Sequence, residues 1–359
     1  MTVQRGKGEA REQRASRWSA SMPLVRRLVL LGLAAGGLYF VWPNIISLFS
    51  HAPGLRAIAW FWFVLMGALE LASFACAWGL LRLALNEKSW FMAAMPQLTS
   101  NAVSRVIPGG LASGGSMSYQ LLGRVGIPRA RIVASLTAST LLSNAVLLAL
   151  PALSIPGILS GALVDRALLR SVEVGVIVFL IILATGALLL FTDRPLRVVG
   201  DGVQRTRNRL LSRRPPMSGL PDSLVRERNM IRAVIGAKWW QALLFAAGNW
   251  LLDWGALLAA LAAVGARPRA ALVLIAYVVA ALLGMLPFTP GGLGFVEVGL
   301  TAMLPLAGVG AASAALATLA YRLVSYWLPI PTGFAAYLVF RRRYRRPGAP
   351  DATGSSSAH

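Results

Sequence analysis

Apolar runs long enough to cross a bilayer constrain this chain more than any other feature, and they fall at 28–43, 55–83, 130–150, 171–191, 239–263 and 311–340. A helix of about 20 apolar residues crosses the hydrocarbon layer. Inside that layer only a helix or a closed barrel satisfies its own backbone N–H and C=O groups. The expected fold is therefore an all-α integral membrane protein, a polytopic helical bundle of about six to eight spans. The last run is long for one span, and Pro329 and Pro331 are expected to kink or divide it. Residues 24–42 lack the pattern of a secretory signal: the polar stretch before them is too long, and Trp42-Pro43-Asn44 is not a small-residue cleavage site. That segment is expected to stay as the first helix.

Charge supports the same class. The chain carries 35 Lys and Arg against 13 Asp and Glu, a formal net charge of +22, which in a soluble protein would suggest nucleic acid. The placement of the charge excludes that partner. Basic residues gather at the N-terminus (Arg5 to Arg27), in a central stretch (Arg205 to Arg232) and at the C-terminus (Arg341 to Arg346), with nearly uncharged runs between them. Lys and Arg kept on the cytoplasmic side give that pattern. The expected organisation is a basic cytoplasmic tail over 1–27, a transmembrane domain over 28–340 and a basic, disordered cytoplasmic tail over 341–359. The stretch 193–238 is expected to be a cytoplasmic linker that includes an amphipathic surface helix. Both termini are placed in the cytoplasm of a cell whose plasma membrane holds the protein. Cys76 stands alone in an apolar run, and His51 and His359 are too far apart to suggest zinc. No metal and no cofactor are expected.

Two further apolar segments, 89–107 and 271–286, are too short to span simply, and each runs into a proline followed by paired glycines. Pro108-Gly109-Gly110-Leu111 and Pro290-Gly291-Gly292-Leu293 are 182 residues apart, and Gly126-Ile127 and Gly308-Val309 keep that offset. The spacing indicates a duplication, with repeat one over 55–150 and repeat two over 239–335. Tracing the charges from a cytoplasmic N-terminus gives the two repeats opposite orientation, each with a broken re-entrant hairpin. Paired interrupted segments in inverted repeats are the sequence mark of a transporter's central site. A helix starting after each Pro-Gly-Gly presents free N–H groups and a positive dipole end, a seat for phosphate.

The run Pro287-Phe288-Thr289-Pro290-Gly291-Gly292-Leu293-Gly294-Phe295-Val296-Glu297 resembles a signature of the lysylphosphatidylglycerol synthase transmembrane region, also called the flippase-like domain. Tyr321-Arg322-Leu323-Val324-Ser325-Tyr326-Trp327-Leu328-Pro329 resembles that family's second signature, with serine 325 and tyrosine 326 in place of the common threonine and phenylalanine. The segment from Asn101 through Gly115 is similar to the corresponding part of the first half, and the resemblance covers roughly residues 30–340. It implies a domain that moves aminoacylated phospholipid between leaflets beside a soluble synthase domain. Only a basic tail follows Phe340, so lysyl transfer is not implied and the lipid stays open.

The ionisable residues inside apolar runs complete the candidate site. Each costs about 2.5–3.5 kcal/mol at the bilayer centre. Arg322 is expected near mid-membrane with Glu297 as its partner, and Arg105, with Asn101 one turn earlier, to meet a lipid phosphate or anchor a hairpin. Substrate binding is thus assigned to Arg105, Pro108, Gly109, Gly110, Pro290, Gly291, Gly292, Glu297 and Arg322. Glu70, Asp253 and Asn249 are candidates for a cationic headgroup or for charge or proton coupling, against a purely structural hydrogen bond between helices. The expected function is a lipid flippase, not an enzyme, acting on a membrane lipid with an anionic phosphate headgroup, such as a phospholipid or a polyprenyl phosphate. A non-transporting scaffold for an envelope biosynthesis enzyme and an intramembrane lipid-linked transferase are the alternatives, and a homo-oligomer is a further candidate assembly.

Overall fold

A computed structural model describes residues 52–107, 110–154, 192–210, 218–286 and 288–344, with isolated positions 177 and 184. The expected spans at 28–43 and 171–191, both tails beyond these limits, and Pro108 and Gly109 lie outside the described residues.

A short 3-10 turn (Ala52–Ala57) leads into α1 (Trp60–Leu85), followed by α2 (Trp90–Val106), α3 (Gly110–Arg124) and α4 (Arg129–Ala149). After them come α5 (Asp193–Leu210) and α6 (Leu220–Ile235). The rest of the chain forms α7 (Trp239–Ala263), α8 (Ala270–Gly284), α9 (Phe295–Leu306), α10 (Ala311–Arg322) and α11 (Pro329–Arg343). No strand occurs among the described residues. Among the described residues, four helical runs are long and apolar enough to cross a membrane: Trp60–Leu85, Arg129–Ser154, Trp239–Ala263 and Ala311–Arg343. The last is a single 33-residue run. Its irregularity is a π turn at Leu323–Trp327, one turn ahead of the two prolines expected to break it. Pro329 and Pro331 fall at the start of α11, where a missing N–H costs little.

α1 and α7 pack closely and antiparallel. A Cβ added at Gly79 would lie 2.6 Å from the Phe245 ring, and one at Gly248 would lie 2.8 Å from Cys76 Sγ. Glycine at these positions lets the helices approach, as small residues do where lipid supplies no hydrophobic drive for association. Beyond these contacts Ser73 Oγ donates to the Asn249 carbonyl at 2.8 Å, and Asn249 Nδ2 donates to Ser73 Oγ at 2.7 Å. Further along, Gly255 faces Leu69. The partners of residues 69, 73, 76 and 79 thus run backwards along α7 as 255, 249, 248 and 245. The largest buried apolar cluster joins α1, α7, α8, α9 and α10, with Met66, Leu257, Leu261, Val273 and Leu300 at its centre.

Of the expected linker, Asp193–Leu210 and Leu220–Ile235 are helical. α5 and α6 pack on each other through Arg197–Asp222 at 3.5 Å and an ion pair from the buried Arg228 to Asp193. Val198 and Val203 on α5 are exposed.

Candidate functional site

α2 stops just before Pro108. A residue that precedes proline is pushed out of the helical region, and Ile107 accordingly takes φ −96°, ψ 130°. The stop leaves Arg105 in the last turn, facing the second half of the chain. Its Nη2 donates to the Ser325 carbonyl at 2.9 Å. Its own carbonyl accepts a hydrogen bond from the Tyr326 hydroxyl at 2.9 Å, and the Pro290 carbonyl is a second acceptor within 3.1 Å of that hydroxyl. Tyr326 therefore joins the end of α2 to the second Pro-Gly-Gly corner.

That corner requires its glycines. Gly291 and Gly292 have φ of 56° and 70°, a region disfavoured for residues with a Cβ. A Cβ on Gly292 would lie 2.6 Å from the backbone of Gly284, and one on Gly291 would lie 2.9 Å from Tyr326 and 3.0 Å from the Arg105 side chain. Pro290–Gly292 forms a 3-10 turn, and α9 starts three residues later, capped by its own acid. Glu297 Oε2 accepts from the Gly294 N–H at 2.6 Å, so one donor expected to face a ligand is already taken. After the first Pro-Gly-Gly, α3 is described from Gly110 onward.

Glu297 and Arg322 meet as expected, with Arg322 Nε 2.6 Å from Glu297 Oε1 and both residues buried. The Arg322 guanidinium lies 4.4 Å from the centre of the Tyr326 ring, and that of Arg105 lies 5.8 Å from it. A half-buried cation, Arg105, and a buried one, Arg322, thus flank one tyrosine, and a single carboxylate pairs with Arg322. Arg105 Nη1 and Arg322 Nη2 are buried and without a partner in the protein. The π turn at 323–327 follows Arg322 directly, and π turns of this kind occur often at functional positions.

Arg105, Arg322 and Tyr326 line one cavity of about 690 Å³, whereas Glu297 lies outside its lining. Its walls come from α1, α2, α3, α4, α7, α8, the second corner and α10, and include Asn101, Arg105, Asp253, Gly291, Gly292 and Arg322. Gln97, Ser139 and Thr289 each bring to it a buried polar atom with no protein partner. A volume of this size falls within the range of about 300–1,000 Å³ usual for small-molecule sites.

The acidic candidates divide. Asp253 accepts from the Tyr277 hydroxyl at 2.6 Å and from the Tyr321 hydroxyl at 2.8 Å. Glu70 is 4% exposed, lies within electrostatic reach of Asp253, and has one carboxyl oxygen without a partner. Asn249 spends its amide on Ser73 and serves the α1–α7 contact, the structural alternative weighed for it. Tyr277, Tyr321 and Tyr326 were not among the expected site residues. Tyr326 was detectable, since it lies four residues after Arg322 and residues four apart on a helix share a face; Tyr321, adjacent to Arg322, points instead to Asp253. Tyr277 carried a weaker signal, a lone hydroxyl in the apolar run of α8.

The fold and the cavity define a polytopic helical membrane protein with a charged, glycine-cornered chamber among its helices. Residues 27–333 match the family model of the lysylphosphatidylglycerol synthase TM region, and the chain belongs to that family. It is also similar to a UPF0104 membrane protein of Methanothermobacter thermautotrophicus, 34% identical over 96 residues. That match spans 27% of this chain and 27% of the relative.

Proposed function

We propose that the protein moves a phosphate-bearing lipid headgroup between bilayer leaflets through the chamber at Arg105 and Arg322, with the lipid tails left in the bilayer. The observation that carries this is the pair of buried guanidinium N–H groups, Arg105 Nη1 and Arg322 Nη2, that no protein acceptor satisfies. A buried donor without a partner costs about 1–3 kcal/mol, more when charged, and a phosphate supplies acceptors suited to a guanidinium fork. At the Tyr326 end of the chamber two guanidinium groups meet one carboxylate, Glu297, which favours an anion at that end; Asp253 lines the same chamber. Gly291 and Gly292 of the second corner line it as well. No covalent change in the lipid is involved.

Alternation between leaflets follows from an inverted duplication. Three observations support it. α3 and α4 start at 110 and 129, while the second Pro-Gly-Gly ends at 292 and α10 starts at 311, each pair 182 apart. α1 and α7, the first helices of the two halves, run antiparallel. Midway between their contacts at 69–255 and 73–249 lie residues 71 and 252, beside Glu70 and Asp253, where a pseudo-twofold axis would cross. Glu70 and Asp253 then supply the negative end of the chamber, for the cationic part of a headgroup or for a coupling ion. The protein acts in the cell membrane with both termini in the cytoplasm.

The test is transbilayer movement of a fluorescent phospholipid in proteoliposomes, read by quenching of the outer leaflet. Arg105→Gln should slow movement roughly tenfold or more, the loss of one charge-assisted contact to phosphate. Arg105→Lys should retain part of it. Equal rates for wild type and Arg105→Gln, with both folded, would refute the assignment.

A further inference from the structure

A second concave site lies apart from the chamber and shares no lining residue with it. It has a volume of about 750 Å³ and is formed by Tyr119, Gln120, Gly123 and Arg124 at the end of α3, Arg129 at the start of α4, and Phe340, Arg341 and Tyr344 at the end of α11. Three arginines from separate parts of the chain converge on it. Among the described residues none of the three has a carboxylate partner; the ion pairs there are Arg197–Asp222, Arg228–Asp193 and Arg322–Glu297. Basic residues placed only to fix topology would point separately into water. Here they rim a hollow with an aromatic floor: Phe340 is 1% exposed, its ring centre lies 4.8 Å from that of Tyr344, and it stacks on Phe91 at 6.2 Å. The Tyr344 hydroxyl is held against Met92 Sδ at 3.4 Å, which fixes the ring.

The position of this hollow decides the source of its ligand. α4 and α11 are the ends of two helical runs long enough to cross a membrane, so the arginines stand where hydrocarbon gives way to water. In the turn of α11 just before Arg341, Leu338 and Val339 are exposed, an apolar track leading to the basic rim. We infer that this hollow is a headgroup site for an anionic phospholipid of the surrounding leaflet, its phosphate held by Arg124, Arg129 and Arg341 and its tails along α11. The site does not depend on the transport proposed above.

Native mass spectrometry of the full chain, titrated with phosphatidylglycerol and separately with phosphatidylcholine, tests it. The wild type should bind phosphatidylglycerol roughly tenfold or more tightly than phosphatidylcholine at this site, as three charged contacts to a net anion require. The combined variant Arg124→Gln, Arg129→Gln, Arg341→Gln should lose one phosphatidylglycerol. Arg56→Gln, at an exposed arginine that lines neither cavity, should keep it. Each single variant is measured as well, so that a folding defect in the combined protein does not decide the result. Unchanged phosphatidylglycerol binding in all three single variants overturns the site. Glycerol 3-phosphate serves as the soluble probe: if it binds as tightly as phosphatidylglycerol and the same variants abolish its binding, the ligand is a soluble phosphate ester and the lipid source is wrong.

Discussion

Among the described residues, Arg322 and Glu297 form the only ion pair buried on both sides, with Nε 2.6 Å from Oε1 and side chains 10% and 8% exposed. Because Glu297 also caps α9 through the Gly294 N–H, one carboxylate fastens three things together: the second corner, α9 and the last membrane-length run. Removing one member of a buried pair leaves a charge uncompensated and costs about 3–5 kcal/mol. Glu297→Ala is therefore expected to lower the thermal unfolding midpoint in detergent more than Glu297→Gln, which keeps an acceptor for Gly294. Equal midpoints for wild type and Glu297→Ala would show that the pair carries no structural weight.

The two kinds of glycine should separate cleanly. Gly292 combines a φ of 70° with backbone 2.6 Å from any added Cβ, whereas Gly67 sits within α1 with nothing within 4 Å. Gly292→Ala is expected to cost about 1–3 kcal/mol in backbone strain before any clash is counted. Gly67→Ala should be neutral or gain up to about 1 kcal/mol. Unfolding midpoints of the two variants, measured side by side, check the contrast.

Asp253 holds two tyrosine hydroxyls. Asp253→Ala strands both buried donors, at about 1–3 kcal/mol each. Asp253→Asn keeps one acceptor and should be the milder change. If Asp253 serves only this structural role, Asp253→Asn will leave lipid movement in proteoliposomes intact; the coupling role proposed above requires movement to fall while the protein stays folded. The Ser73–Asn249 link, by contrast, should behave as packing. A double-mutant cycle with Ser73→Ala and Asn249→Ala should give a coupling of about 0.6–1.7 kcal/mol, the range for hydrogen bonds between membrane helices, read from unfolding midpoints.

Opposite orientation of the two halves predicts opposite faces for their first loops. In a Cys76→Ser background, Glu87→Cys and Arg267→Cys should react with a membrane-impermeant maleimide from opposite sides of oriented vesicles. Labelling of both from the same side would contradict the inverted arrangement.

Much of this was legible in the sequence, for identifiable reasons. The run 239–263 became α7 with the same bounds because it is long, mostly apolar and without proline, so Asn249 and Asp253 do not break it. The meeting of Glu297 and Arg322 could be anticipated because a charge inside an apolar run needs a partner and few were on offer. The position of the break in the last run was less accessible. Pro329 and Pro331 drew attention, yet proline in a first turn is compatible with helix, and the π turn at 323–327 leaves no composition signal. The duty of Asn249 was also hidden: sequence spacing put it on the face of Asp253, but its actual partner, Ser73, is 176 residues away. Of the helical pair α5–α6 an amphipathic surface helix was expected, but not the Arg228–Asp193 pairing that joins two helices across 35 residues.

The most direct test is a cryo-EM structure of the protein in nanodiscs of an anionic phospholipid. Lipid phosphate within hydrogen-bonding reach of both Arg105 Nη1 and Arg322 Nη2 is the result expected. A chamber filled by acyl chain or by side chains, with phosphate bound only at the membrane surface, would contradict a headgroup path through the helices.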